Sequence, residues 1–128
     1  MTMGQLAGRR AVITGGGGGV GQGITNRFAD AGAEVVVADF DVPLGLATVE
    51  AIRARGGMAR FLPVDVTEKA SLLAMLDTAG GVDILVNNAG MQFRAALEDF
   101  PLEKWRELMR VNVESAFIVG KAVAKGMI

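Results

Sequence analysis

A run of glycines near the start of the chain constrains its fold more than any other feature. Residues 15–19 are all glycine, and Gly21 follows two positions later. Without a Cβ, glycine adopts positive φ angles and lets a ligand come close to the backbone. The run follows a short apolar stretch, residues 10–14, typical of a buried parallel strand. It precedes a helical apolar stripe, formed by Val20, Ile24, Phe28 and Ala31.

Strand, glycine turn and helix in this order predict an anion site, because the first N–H groups of the helix are unpaired and its dipole is positive there. A phosphate-binding P-loop would need lysine after its last glycine, where Gln22 stands. Two dinucleotide patterns remain open. The first is G-x-G-x-x-G through Gly16, Gly18 and Gly21, and the second is T-G-x-x-x-G-x-G through Thr14, Gly15, Gly19 and Gly21. A flexible turn is the alternative to both.

Composition excludes several classes of protein. With 13 basic and 14 acidic residues and a net charge of −1, the chain has no basic footprint for nucleic acid or a membrane surface. No apolar run approaches the roughly 20 residues of a membrane span. The first six residues lack the charged and apolar regions of a secretory signal, so we expect a cytoplasmic location. The sequence contains no cysteine or histidine, and we predict no metal site.

A second strand is predicted at residues 34–39 and ends in an acidic residue, Asp39. In a Rossmann βαβ unit, an acid at this point accepts hydrogen bonds from the adenosine ribose. Its charge would repel a 2′-phosphate, and neither Phe40 nor Asp41 supplies a compensating cation. The sequence therefore favours NAD over NADP. The alternative is that Asp39 is a solvated turn residue.

Two further strands alternate with helices. Pro43 fits the first turn of a helix whose predicted apolar stripe is Leu44, Ala47, Ala51 and Ile52. Residues 59–64 form a third strand, in which Pro63 requires a sheet edge or a strand end. Thr67 is a plausible N-cap for a helix through Leu72, Leu73 and Leu76. Residues 82–86 form the fourth strand.

This alternation predicts an α/β fold, the first half of a Rossmann-like doubly wound parallel sheet with strand order 3-2-1-4 and flanking helices. We expect residues 1–128 to be a single dinucleotide-binding domain, cut off before a fifth strand. Such a chain would leave its fourth strand as an apolar sheet edge.

Asparagines mark the end of the fourth strand and the last helix. Asn87, Asn88, Ala89 and Gly90 follow the strand at the predicted switch point, although this is also a common turn composition. The last helix is predicted to begin near Pro101. Its first apolar face comprises Trp105, Leu108, Met109, Ala116, Val119 and Val123, and its second comprises Val113, Phe117, Gly120 and Ala124. Two apolar faces need two covering surfaces, of which one is the sheet and the other must be a partner or a missing part of the chain. We expect a homo-oligomer formed through this helix. Asn112 lies within the first face and is either a buried structural amide or functional.

These motifs together resemble the N-terminal half of the short-chain dehydrogenase/reductase family, of the compact single-domain type. The loop at 14–21, Asp39, Asp65-Val66, Asn87 to Gly90 and Val111-Asn112-Val113 occur in the family's order. The resemblance covers essentially the whole chain and selects the T-G-x-x-x-G-x-G pattern. It implies hydride transfer between NAD and an alcohol or carbonyl substrate.

The resemblance also implies roles for individual residues. Asn112 would be the catalytic asparagine that helps to hold a proton-relay water. The pyrophosphate would bind backbone amides of the loop, Asp39 the ribose, Asp65 and Val66 the adenine, and Asn88 to Gly90 the adenosine side. The implied cofactor-binding residues are Gly15, Gly17, Gly18, Gly19, Val20, Gly21, Asp39, Phe40, Asp65, Val66, Asn88, Ala89 and Gly90.

The chain departs from the family pattern in two ways. Gly16, Gly17 and Gly18 fill places where members often carry alanine or serine, so we expect the loop to be mobile until the cofactor binds. The family's chemistry uses a serine, and a tyrosine followed four residues later by lysine. This sequence contains no tyrosine. We therefore expect the 128 residues alone to be inactive.

Two functions remain open. The first is an oxidoreductase for which this chain supplies the cofactor-binding half, and the second is a non-catalytic dinucleotide-binding half-fold. A third reading, interaction only, leaves the loop and Asp39 unexplained. Residues 87–92, with Phe100, Pro101 and Trp105, resemble sugar-acid dehydrogenases of the gluconate type, but 3-oxoacyl reductases and polyol dehydrogenases remain alternatives.

Overall fold

Four parallel strands form a single sheet in the order β3-β2-β1-β4, as the sequence predicts. The structure, a computed structural model, describes residues 4–128, so Met1 to Met3, part of the stretch in which we found no signal, lie outside it. The strands are β1 Arg10–Thr14, β2 Glu34–Asp39, β3 Met58–Pro63 and β4 Ile84–Asn87. β1 and β2 coincide with the predicted strands, and Pro63 ends an edge strand as expected.

Helices cover both faces of this sheet. They are α1 Gly19–Asp30, α2 Val42–Ala54, α3 Lys69–Ala79, α4 Leu102–Met109 and α5 Ser115–Met127. A 3₁₀ turn, Leu97–Asp99, precedes α4, and a π-helical turn, Arg110–Glu114, joins α4 to α5. In residues 4–128, none of the helices has the length and hydropathy that a bilayer crossing requires.

Alternate residues of the central strands supply two separate cores, because successive side chains of a strand point to opposite faces. Ala11, Ile13, Val35 and Val37 pack with Ala29, Val49 and Ile52 of α1 and α2. On the other face, Val12, Val36 and Ala38 pack with Leu72, Met75 and Ala79 of α3 and Val119 of α5. Burial of both faces explains why these strands are continuous apolar runs.

The predicted apolar stripes of α1 and α2 are correct only in part: Ile24, Phe28 and Ile52 do pack in the core, but the other positions are misplaced. Val20 is 75% exposed, and the fully buried face of α1 consists of Gly21, Thr25 and Ala29. In α2, Leu44, Ala47 and Ala51 are exposed, whereas Gly45, Thr48, Val49 and Ile52 are buried. The reason is that both helices pack on the glycine loop as well as on the sheet. Only small or hydroxylated residues fit against that backbone.

Thr67 is not the N-cap of α3. The helix begins after Glu68, which makes no side-chain capping bond. Thr67 instead donates its hydroxyl and its backbone N–H to Oδ1 of Asp65, at 2.6 and 2.9 Å. Both bonds hold Thr67 in the turn that follows Asp65, one residue before the N-cap position, so the threonine belongs to the loop after β3. Of the three predicted leucines, Leu72 is buried and Leu73 is 40% exposed.

The last predicted helix is two helices that differ in phase. The π-helical turn Arg110–Glu114 inserts one extra residue, which rotates α5 relative to α4. The buried positions are therefore Val111, Ser115 and Val119, and Asn112 is exposed rather than set within a buried apolar face. Trp105, Met109, Val113 and Phe117, from both predicted faces, are exposed.

Candidate functional site

A cavity of about 690 Å³ lies at the carboxyl ends of the four strands. This is within the range of small-ligand sites, and it is the edge at which open α/β sheets bind ligands. Nine of the predicted site residues line it: Gly15, Gly18, Asp39, Phe40, Asp65, Val66, Asn88, Ala89 and Gly90. The topology thus brings together segments far apart in sequence.

The remaining predicted residues do not line the cavity itself. Gly17 is buried beneath it, in contact with Asp39 and Gly45. Gly19 and Val20 are exposed at the start of α1, and Gly21 is buried between the glycine loop and Asn88. Asn112 does not line the cavity, but it bonds Met91, a lining residue that we did not predict.

The glycine loop comprises residues 14–21, and side chains from other elements hold its first half. The hydroxyls of Thr25 and Thr48 donate to the carbonyl oxygens of Gly16 and Gly17, at 3.0 and 2.8 Å. Asp39 Oδ2 accepts from the N–H of Gly17 at 3.0 Å. Mobility of the loop before the cofactor binds stays a prediction, and these contacts lead us to expect it at Gly19 and Val20 rather than at Gly16 and Gly17.

Gly21 could not be another residue in this arrangement. A Cβ there would collide with the carbonyl oxygen of Gly15 and the side-chain amide of Asn88, which themselves hydrogen-bond at 3.0 Å. Gly15 has a φ of 65° and donates its N–H to Ala38 at 2.7 Å, so the loop turns sharply at the end of β1. The close approach of α1, β1 and β4 therefore depends on these two glycines.

The second half of the loop contains backbone N–H donors without a protein partner in the described part of the chain. Gly18 is the N-cap of α1, and within residues 4–128 its N–H has no protein acceptor. The next three N–H groups belong to the first turn of α1 and have no partner inside the helix. That turn contains neither an acidic residue nor a side-chain cap. The site can therefore accept an anion.

Acidic side chains surround the rest of the cavity. Asp39, Asp41, Asp65 and Glu107 line it, and no lysine or arginine is among the described residues of its wall. Glu107 pairs with Lys104 at 3.1 Å, outside the lining. Asp39 accepts through Oδ1 from the N–H of Asp41 at 3.0 Å, so both of its oxygens are oriented by backbone donors.

Hydrogen bonds from Thr67 lower the pKa of Asp65. The largest effect comes from the Thr67 hydroxyl and the next from its backbone N–H, whereas slight burial acts in the opposite direction. Both bonds favour the charged carboxylate. Asp65 is therefore ionised at neutral pH and holds the loop after β3 in place beside the cavity.

The loop after β4 is fixed to β1 by Thr14. The hydroxyl of Thr14 accepts from the N–H groups of Asn88 and Ala89, both at 3.1 Å, and donates to Val86 at 3.4 Å. Asn88 also donates its side-chain amide to Gly15. These contacts join the loop after β4 to the end of β1.

Asn112 makes paired hydrogen bonds with the backbone of Met91. Its Oδ1 accepts from the Met91 N–H at 2.9 Å, and its Nδ2 donates to the Met91 carbonyl at 3.1 Å. The π-helical turn brings this amide to the loop after β4, and π turns are frequent at functional sites. Asn112 is therefore hydrogen-bonded although exposed.

Sequence reasoning assigned no role in this site to several of its residues, although Thr14 and Val111 belong to the motifs quoted above. Thr14, Thr25 and Thr48 hold the loops, and Met91, Glu107 and Val111 line the cavity. A hydroxyl on the buried face of a helix was the available signal for Thr25 and Thr48. Val111 belongs to the π-helical turn, which the sequence pattern did not predict.

The arrangement suits binding more clearly than proton transfer. Backbone donors, an oriented carboxylate and an open cavity meet at one end of the sheet. The sequence provides no tyrosine, histidine or cysteine, the side chains that most readily exchange a proton near neutral pH.

Comparison with known proteins agrees with this geometry. A family model described as short chain dehydrogenase matches residues 9–128. D-beta-hydroxybutyrate dehydrogenase of Rhizobium meliloti is 43% identical, covering 85% of this chain and 45% of its own length. Gluconate 5-dehydrogenase of Gluconobacter oxydans is 38% identical, covering 96% of this chain and 50% of its own length.

Solved structures give the same result. A gluconate 5-dehydrogenase from Burkholderia cenocepacia, in complex with NADP and tartrate, superimposes with a TM-score of 0.86 and 41% identity. The match covers 94% of this chain and 49% of that one. The chain thus spans about half the length of the curated relatives it matches.

Proposed function

The chain belongs to the short-chain dehydrogenase/reductase family, and we propose that it supplies the NAD-binding half of an oxidoreductase acting on an alcohol or carbonyl compound. The observation that carries this proposal is the glycine loop, whose unpaired donors and oriented Asp39 lie at one cavity. In this proposal residues 1–128 are a single dinucleotide-binding domain.

A nicotinamide dinucleotide fits the residues present. Gly21 has no room for a Cβ, so the backbone of the loop is held compactly at the start of α1. The unpaired N–H groups from Gly18 onward suit a pyrophosphate. Asp39 would bind the adenosine ribose, with Phe40, Asp65 and Val66 near the adenine. The predicted contacts of Gly15, Gly17, Gly19, Val20, Gly21, Asn88, Ala89 and Gly90 complete this set.

The charge of the cavity supports NAD rather than NADP. A 2′-phosphate beside Asp39 would meet a carboxylate and, in the described wall, no arginine or lysine. The two negative charges would repel each other in a cavity that is only partly screened by solvent, and this repulsion would weaken NADP binding. The Burkholderia cenocepacia relative was solved with NADP, so the preference has to be measured for this protein.

The bound nicotinamide would accept or donate the hydride. Asn112 would hold the loop after β4 beside the nicotinamide, through its two hydrogen bonds with the backbone of Met91. Because the 128 residues hold no tyrosine, the proposal assigns proton transfer to the family's serine, tyrosine and lysine in a part of the protein outside this chain.

Substrate class follows from the relatives only as a proposal. The named relatives act on a hydroxy acid and on gluconate, which favours a small hydroxy acid or sugar acid over 3-oxoacyl or polyol compounds. We propose a homo-oligomer formed through the exposed apolar side chains of α4 and α5, in the cytoplasm.

Calorimetric titration with NAD and NADP tests the proposal. We expect the 128-residue chain to bind NAD at least about tenfold more tightly than NADP and to give no turnover with 3-hydroxybutyrate or gluconate. Absence of NAD binding would refute it. The lack of tyrosine, histidine and cysteine in the 128 residues favours one other candidate, a non-catalytic dinucleotide-binding module. Turnover by a longer protein containing this sequence would exclude that candidate.

A further inference from the structure

Two buried threonines donate to consecutive carbonyls of the glycine loop. Thr25 of α1 donates to Gly16 at 3.0 Å, and Thr48 of α2 donates to Gly17 at 2.8 Å. The two threonines are 0% and 2% exposed. Neither contact was part of the predicted site, and both bring a helix onto the same turn.

Other hydroxyls in the helices of this protein behave differently. Thr78 donates to Ala74 and Ser115 donates to Val111, in each case to the carbonyl four residues earlier in the same helix. This local bond is the usual one for a hydroxyl inside a helix. The hydroxyls of Thr25 and Thr48 instead donate their protons to carbonyl oxygens of the glycine loop.

Thr48 reaches the loop because α2 lies unusually close to it. A Cβ on Gly17 would come within 3.0 Å of the Gly45 Cα, so the two backbones touch at glycine. The ring of Phe61 in β3 occupies the position that a Cβ on Gly45 would take. The approach of α2 is therefore fixed on both sides, by the loop and by β3.

The bond from Thr48 determines where the next N–H group points. In a trans peptide, the C=O of one residue and the N–H of the next point in opposite directions. With the Gly17 carbonyl turned towards the buried hydroxyl of Thr48, the Gly18 N–H is turned away from α2. Gly18 lines the cavity, and its N–H is one of the unpaired donors described above.

We propose that Thr48, with Thr25 in support, is a positioning residue that aims the Gly18 N–H at a cofactor phosphate. This inference rests on the proposed function. Without the hydroxyl, the Gly17 carbonyl would be buried without its donor and the peptide would reorient to find another. The phosphate site would then lose a preformed donor, whereas the adenosine side of the cavity would be unchanged.

The test compares the purified protein with T48V, which keeps the shape but loses the hydroxyl, and T48S, which restores it. NMR titrations measure binding of NAD, ADP and adenosine, which lacks phosphate. We expect T48V to bind NAD and ADP about tenfold more weakly, to bind adenosine as the wild type does, and to be rescued by T48S. T78V, which removes a hydroxyl bonded within its own helix, is the matched control and should bind normally.

Equal NAD binding by T48V and the wild type would overturn the inference, as would an equal loss for adenosine or a failure of T48S to rescue. If T48V does not fold, T48A removes the same hydroxyl with a smaller side chain and provides the same comparison at the Gly17 carbonyl. A wild-type protein that binds no NAD would instead refute the proposed function, so the two failures are distinguishable.

Discussion

The carboxylate of Asp39, at the end of β2, accepts the N–H of Gly17 in the glycine loop at 3.0 Å. One acidic side chain therefore both supports the loop and presents charge to the cavity that it lines. This double contact links the proposed ribose site to the proposed phosphate site, and it leads to the first prediction.

Replacing Asp39 with alanine should weaken NAD binding by about 10- to 100-fold, because charge-assisted hydrogen bonds are lost. NADP binding should weaken less, since repulsion of the 2′-phosphate is removed as well. Calorimetric titration of both cofactors measures the two changes. Asp77→Asn, at an exposed position of α3, is the control, and unchanged NAD affinity of D39A would contradict the proposed geometry.

Alanine at Gly21 should destabilise the fold, because its Cβ would collide with the Gly15 carbonyl and the Asn88 amide. We expect a loss of about 1–3 kcal/mol in the free energy of unfolding. Gly23, two residues later in α1, has open space around its Cβ position. G23A should therefore gain about 0.5–1 kcal/mol. Urea unfolding of both variants checks the contrast, and a stable G21A would show that the loop packs differently.

Replacing Thr67 with valine should raise the pKa of Asp65 towards its ordinary value of 3.8, since the hydroxyl bond is the main cause of the lowering. In the wild type, the folded-state pKa lies below the unfolded value. The stabilisation is therefore complete above the unfolded pKa and is lost as the pH falls through the folded one. T67V should lose less stability across this acid range.

NMR titration of the Asp65 carboxyl group measures this effect directly. T78V, whose hydroxyl bonds a helix carbonyl instead of a carboxylate, should leave the Asp65 pKa unchanged. An unaltered pKa in T67V would show that the Thr67 hydroxyl does not carry the effect.

Aspartate at Phe117 should weaken the proposed oligomer. Phe117 is 67% exposed and lies four residues after Val113, which is 52% exposed. A charge placed in a desolvated apolar contact is costly, so the dissociation constant should rise at least about tenfold in sedimentation experiments. L97D changes an equally apolar and more exposed residue of the 3₁₀ turn, and it should associate normally. A wild-type monomer would refute an interface here.

The strands and their order could be predicted from the sequence because each depends on local signals. A continuous apolar run specifies a strand covered on both faces, and a right-handed crossover leaves few arrangements. The predicted strands also placed Asp39, Asp65 and Asn88 close together, because the carboxyl ends of parallel strands lie at the same edge of a sheet. The helix faces could not be predicted as well, because in α1 and α2 glycine and threonine, rather than the larger apolar residues, face the loop.

The sequence by itself determined the sheet, the glycine loop, and the residues at the strand ends. Tertiary structure alone decided that Thr25 and Thr48 donate to the loop carbonyls. It also decided that Thr67 bonds Asp65 instead of capping α3, and that a π-helical turn brings Asn112 to Met91. The physical reason is that strands and turns follow from neighbouring residues. A hydrogen bond between distant segments depends instead on how closely two backbones approach, as Gly45 and Gly17 do here.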